Sequence, residues 1–136
     1  MVKKVNKTEK VLTSKKNKMI LIVEDDQVLL RALYLFLKRR SVCTIATASD
    51  GDTALKMAQR LKPNIILLDL ILPKMDGFSV LKSLKADPKM KDIPVIILSN
   101  LGDSGDIEKA KNMGASDYYV KANTDLTVIL EKINNY

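Results

Sequence analysis

Cysteine is nearly missing from this chain of 136 residues: Cys43, inside the β-branched stretch SVCTIAT, is the only one. A lone thiol cannot close an internal disulfide, so nothing in the sequence speaks for an oxidising compartment. No apolar run has the length of a signal peptide or a membrane-spanning helix. A cytoplasmic protein with no membrane segment is the expectation. Internal repeats and low-complexity stretches are lacking too. No room for a second domain follows Tyr136, so no DNA-binding domain or enzymatic output domain is expected. What remains is one domain's worth of chain, 46% apolar and 29% charged, long enough to bury a real core.

The folded body also lacks the basic charge that the whole-chain figure of +7 suggests. Residues 1–18 hold seven lysines against Glu9, whereas the following 118 residues hold sixteen basic and fifteen acidic side chains. The basicity belongs to a tail. MVKKVNKTEKVLTSKKNK has few apolar residues and no stable period, and it reads as a lysine-rich, flexible N-terminal extension over residues 1–18. Its role stays open between a solvated extension and weak attraction to nucleic acid, anionic lipid or an acidic partner.

From Met19 the pattern changes. MILIV (19–23), CTIAT (43–47), IILL (65–68), PVIIL (94–98) and YYV (118–120) are short, strand-like apolar runs, and the segments between them have helical spacing. Ala54, Leu55, Ala58 and Leu61 share one helix face; Phe78, Leu81 and Leu84 share another, and Leu126, Ile129, Leu130 and Ile133 a third. Asp26 and Asp50 suit helix N-caps, and Gly114 a helix end. Strands apolar on both faces, alternating with helices, predict an α/β protein: a doubly wound five-stranded parallel sheet covered on both sides, with strand order 2-1-3-4-5. In such sheets the site lies outside the carboxyl ends of the strands. The helix expected over 27–40 is apolar nearly all round, its polar stripe of Gln27, Arg31 and Lys38 interrupted by Tyr34 and Leu35. Scattered surface apolar residues and a docking patch are both compatible with that pattern.

Chemistry collects at the strand ends. Glu24, Asp25 and Asp26 follow the first strand, Asp69 the third, Ser99 the fourth and Lys121 the fifth. Carboxylates brought together repel one another unless a cation joins them, and oxygen-only ligands suit a hard ion such as Mg²⁺. A lysine and a hydroxyl beside that cation suit a phosphoryl group. Asp69, at the end of an apolar run and before the turn residues Pro73 and Asp76-Gly77, is placed to act as a covalent nucleophile toward phosphorus. Each signal alone has a plainer reading: a helix-start cluster favoured by the helix dipole, a turn residue, a solvated lysine. Four of them, each at the end of a different strand, carry the argument together.

These residues resemble the receiver domain of two-component response regulators, over residues 19–136. ILIVEDD is similar to the family's acidic motif, LLDLILPKMDG to its phospho-acceptor motif, VIILSN to the segment ending in its switch hydroxyl, and GASDYYVK to the segment ending in its lysine. The resemblance implies a flavodoxin-like fold and a phospho-acceptor at Asp69, with a sensor histidine kinase or a histidine phosphotransfer protein as donor. It implies Mg²⁺ held by Asp25, Asp69 and the backbone carbonyl of Ile71, with Glu24 acting through water. It further implies that Ser99 and Lys121 hold the phosphoryl oxygens. Ser99 and Tyr118 would then switch the surface of the fourth helix, fifth strand and fifth helix. In the family, the residues two after the acceptor and two after the switch hydroxyl flank the approach of hydrolytic water; here they are Ile71 and Leu101. Two positions depart from the pattern. Ala122 replaces the usual proline after the lysine, where a cis bond is costly, so that cis and trans both stay open for Lys121–Ala122, and Asn100 replaces a small residue.

The resulting expectation is a stand-alone, single-domain response regulator. It would self-phosphorylate from a phosphodonor without turning over a small-molecule substrate, and act on a downstream protein as a monomer or a phosphorylation-dependent dimer. A phosphatase or phosphotransferase of similar fold is an alternative, although EDDQV lacks an Asp-x-Asp spacing. A nucleic-acid binder using the tail is another, although the body has no basic stripe. Deleting residues 1–17 is expected to leave thermal stability and phosphorylation nearly unchanged; a large fall in melting temperature would show that the tail packs on the body.

Overall fold

The computed structural model describes residues 18–40 and 43–136. Apart from Lys18, the lysine-rich extension lies outside the described residues. Lys18 donates from Nζ to the carbonyl of Ile133 at 2.6 Å and to that of Tyr136 at 2.5 Å, tying the start of the first strand to the end of the chain.

Five strands, β1 (Met19–Val23), β2 (Thr44–Ala48), β3 (Ile65–Leu68), β4 (Val95–Ser99) and β5 (Asp117–Val120), form one parallel sheet in the order β2-β1-β3-β4-β5. Five helices connect or follow them: α1 (Gln27–Arg40), α2 (Gly51–Leu61), α3 (Gly77–Ala86), α4 (Ser104–Asn112) and α5 (Leu126–Asn134). Because successive side chains of a strand point to opposite faces, the sheet divides its apolar residues between two cores. Leu21, Val23, Ile66, Leu68, Val95 and Ile97 face α2, α3 and α4, meeting Ala54, Ala58, Leu81, Leu84 and Ala110. Ile20, Ile22, Ile65, Leu67, Ile96 and Leu98 face α1 and α5, meeting Leu30, Leu33, Leu37, Ile129 and Ile133.

The expected topology and strand order are those observed. Burial on both faces, however, holds for the central strands β3 and β4 and, past Met19, for β1. The edge strands are half covered: Thr44 and Thr47 of β2 are exposed, and all of β5 is only partly buried. An edge strand has one paired neighbour and solvent on its other side, so polar side chains are tolerated there. The apolar excess of α1 is largely absorbed. Leu29 and Phe36 pack against the second core, and the Arg40 guanidinium lies 4.2 Å from the centre of the Phe36 ring. Val28 (81% exposed) and Leu35 (39%) remain on its surface, with Tyr34 half-buried.

Every helix begins at an aspartate. Asp26 accepts from the Val28 amide at 3.0 Å, Asp50 from Thr53 at 2.7 Å and Asp76 from Ser79 at 3.0 Å. Asp103 and Asp125 do the same for Gly105 and Thr127. Each cap satisfies an amide that the helix leaves unpaired, and its charge suits the positive end of the helix dipole. As all helices run back antiparallel to the strands, all five caps sit at the carboxyl edge of the sheet. Gly114, with φ +106°, follows α4 as expected; α2 instead ends on Lys62 in the left-handed region, φ 46°.

Gly77 fixes α3 to the end of β3. Its amide donates to the Leu70 carbonyl at 2.9 Å, and a Cβ there would lie 2.3 Å from the Asp69 carbonyl oxygen and 2.5 Å from the Leu70 Cα. Backbone atoms cannot yield as a flexible side chain can. Gly77→Ala is expected to cost about 1–3 kcal/mol in urea denaturation; an unchanged midpoint would mean that α3 is free to move off β3.

Candidate phosphoryl-acceptor site

The parallel register brings the acidic residues together. Val23 pairs with Leu68, so Glu24 and Asp69, the next residues along, emerge side by side from β1 and β3. Their amides are anchored by the sheet itself, Glu24 to the Ala48 carbonyl and Asp69 to the Val23 carbonyl, each at 3.0 Å. On the other side, Ser99 pairs with Val120, and Lys121 follows. The side chain of Lys121 crosses back over β4 to reach both carboxylates, 2.6 Å from Glu24 Oε1 and 2.8 Å from Asp69 Oδ2.

Glu24 and Asp69 are almost wholly buried, at 2% and 3% exposure. Two carboxylates in so dry a place need a cation and hydrogen bonds, and they have both. Glu24 Oε2 accepts from the Asp26 amide at 3.0 Å, and Asp69 Oδ1 from the Ile71 amide at 3.2 Å. Burial pushes the Glu24 carboxyl up from its usual range, with the bond from Lys121 pulling against it. Burial opposes the Lys121 ammonium, but its bonds to Asp69 and Glu24 outweigh that and hold its pKa above the ordinary lysine value. Removing the lysine alone would strand two buried charges, a loss on the order of 3–5 kcal/mol.

Asp25 is exposed and points its carboxylate to the same place: one oxygen from each of Glu24, Asp25 and Asp69 lies within 4.8 Å of the others. Three hard oxygen donors at that spacing, from two adjacent strand ends, fit a divalent cation.

Ser99 is fully buried at the end of β4, and its Oγ accepts from the Leu101 amide at 3.3 Å. The Tyr118 hydroxyl of β5 donates to the carbonyl of the same Leu101. Burial, then the negative charges of Asp106 and Asp69, push the Tyr118 phenol up, so it stays a donor. Both expected switch side chains therefore hold the backbone of one residue of the β4–α4 loop, Ser99 through the amide before Leu101 and Tyr118 through the carbonyl after it. Leu101 as the shared partner was not legible in the sequence, because the contacts use its backbone. The same is true of Lys74, whose φ of 67° shapes the turn after Asp69. The Lys121–Ala122 bond is trans, as alanine at that position favours, and opens a short 3₁₀ turn, Lys121–Asn123. Among the described residues, no helix is long and apolar enough to cross a membrane.

Comparison with known proteins agrees with this geometry. Residues 20–134 match the family model of the response regulator receiver domain. The response regulator PleD of Caulobacter vibrioides is 42% identical over 107 residues, which are 79% of this chain and 23% of PleD. The chain spans less than half the length of the curated relatives it matches. Among solved structures, the signal receiver domain of a DNA-binding response regulator (merR) from Colwellia psychrerythraea superposes with a TM-score of 0.82 at 27% identity, covering 88% of this chain and 97% of that one. The receiver domain of sensor histidine kinase PA1611 from Pseudomonas aeruginosa, with a magnesium ion coordinated in its active-site cleft, superposes with a TM-score of 0.79 at 26% identity and the same coverage. Matched over most of its length by the family model, and carrying an acidic cluster and lysine at the ends of the expected strands, the chain belongs to the response regulator receiver domain family.

Proposed function

We propose that Asp69 accepts a phosphoryl group from a phosphohistidine of a sensor histidine kinase or a histidine phosphotransfer protein, and that the phosphorylated form is read by a downstream protein. The observation that carries this reading is the Lys121 ammonium suspended between two buried carboxylates, one of which ends the central strand. These 136 residues contain no histidine, so the donor imidazole lies outside them. In the transfer, an Asp69 oxygen forms a bond to phosphorus as the phosphorus–nitrogen bond breaks, and the imidazole leaves with the electron pair. Lys121 then exchanges a carboxylate oxygen for a phosphoryl oxygen, and the Ser99 hydroxyl donates to another. This is positioning and charge neutralisation, not turnover of a small substrate.

Asp25, Asp69 and the Ile71 carbonyl would hold Mg²⁺, with Glu24 acting through water. The bound ion supplies neutralisation of the incoming phosphoryl charge. Glu24, already committed to Lys121, is less available as a direct ligand than the exposed Asp25.

When Ser99 turns to the phosphoryl group it releases the Leu101 amide, which also bears on the Tyr118 contact. The surface of α4, β5 and α5 shifts through that link, a bias between two populations. We further propose a receiver over residues 19–136 preceded by the extension over 1–18, a cytoplasmic setting, and a monomer or phosphorylation-dependent dimer.

With Mg²⁺ and acetyl phosphate, intact mass is expected to show one added phosphoryl group, acid-stable and base-labile, lost in Asp69→Asn. Millimolar Mg²⁺ is expected to raise the melting temperature of the native chain, and Asp25→Asn should slow labelling and abolish that rise. Undiminished labelling of Asp69→Asn would sink the assignment.

Lifetime is the second expectation. Ile71 (52% exposed) and Leu101 offer no side-chain hydrogen bond that would orient a water approaching in line with the Asp69–phosphorus bond. Decay of phospho-Asp69 after donor removal should be slow, and faster in the Ile71→Asn, Leu101→Glu double variant. Rapid decay in the unaltered chain, or no gain in the variant, contradicts this.

A further inference from the structure

Away from the acceptor site, a groove of about 590 Å³ opens between α3 and the end of α4, lined by Asp76, Phe78, Ser79, Lys82, Lys109 and Met113. We propose that this groove docks an acidic segment of a partner protein carrying an apolar anchor, and that phosphorylation of Asp69 changes its affinity. The second half of the proposal rests on the reading of Asp69 as phospho-acceptor.

The groove combines an apolar floor with cations that have no carboxylate partner. Phe78 and Met113 are half-buried and pack on the first core, leaving part of each open to the groove. The Lys109 ammonium stands 4.2 Å from the centre of the Phe78 ring. Lys82, one turn along α3 from Phe78, is exposed, and among the described residues neither lysine forms a salt bridge. The one acidic residue in the lining, Asp76, is already engaged, accepting from both the amide and the hydroxyl of Ser79. Its cap occupies the Ser79 amide, which weakens the α3 N-terminus as a nest for a free phosphate or nucleotide. Two lysines on different helices flanking an aromatic ring instead match carboxylates spaced along a peptide, with an apolar side chain between them.

The two walls answer to different parts of the site. α3 is locked to the acceptor strand through Gly77, whose amide bonds to Leu70 and which has no room for a side chain against Asp69. α4 follows the loop in which Leu101 is gripped by Ser99 and Tyr118. A change at Ser99 moves one wall relative to the other.

The test uses the full chain and a fluorescein-labelled synthetic amphipathic peptide, leucine and phenylalanine at helical spacing with glutamates between them, followed by anisotropy. A matched peptide with lysines for the glutamates is the control. The acidic peptide is expected to bind saturably and the basic one not. Lys82→Glu with Lys109→Glu should weaken binding roughly tenfold or more, as should Phe78→Ser, with circular dichroism and Asp69 labelling unchanged. Acetyl phosphate with Mg²⁺ should shift the affinity by roughly fivefold or more. Equal binding of both peptides, or no effect of the charge reversals, overturns the docking site. Unaltered affinity in chain shown by mass to be phosphorylated overturns the coupling. Failure of Asp69 to label at all would instead count against the acceptor reading, and the peptide arms would still decide the groove.

Discussion

The contact between the Lys121 ammonium and the carboxylates of Glu24 and Asp69 is what the rest of this structure serves. At 2.6 and 2.8 Å, in a place where the two acids are nearly without solvent, it is the condition under which an acidic cluster can sit at the end of a hydrophobic sheet at all. It is also a contact poised to change. If Asp69 takes a phosphoryl group as proposed, this lysine would have a third anionic partner within reach, and the group that stabilises the buried acids would also stabilise that product.

The doubly wound topology supplies that site by placing every strand's carboxyl end and every helix's amino end on one edge. Asp26, Asp50, Asp76, Asp103 and Asp125 each satisfy a local need, the unpaired amides of a helix start. Their common edge is a consequence of topology, which sets every strand's carboxyl end among capped helix starts.

Ser99, Leu101 and Tyr118 link the end of β4 to β5 through the backbone of one residue. Ser99 holds the amide of Leu101 and Tyr118 its carbonyl, so the Ser99 hydroxyl cannot turn away without freeing an amide that then needs another partner.

Much of this was legible in the sequence, for reasons that are local. Strands with apolar residues in unbroken runs, helices with apolar residues at three- and four-residue spacing and aspartates at their starts report their own structure, and Glu24, Asp25, Asp69, Ser99 and Lys121 stand at strand ends that those patterns define. The sequence by itself thus determined the elements, their order along the chain and the chemical groups available. Tertiary structure alone decided which strands are half exposed, that Arg40 covers Phe36, and that Lys121 reaches both Glu24 and Asp69. It also decided that Leu101 links the two switch side chains and that Lys82 and Lys109 flank one groove. The physical reason is the same in each case: these contacts join residues far apart in the chain, or use backbone atoms that every residue carries, and neither leaves a mark in the spacing or identity of side chains.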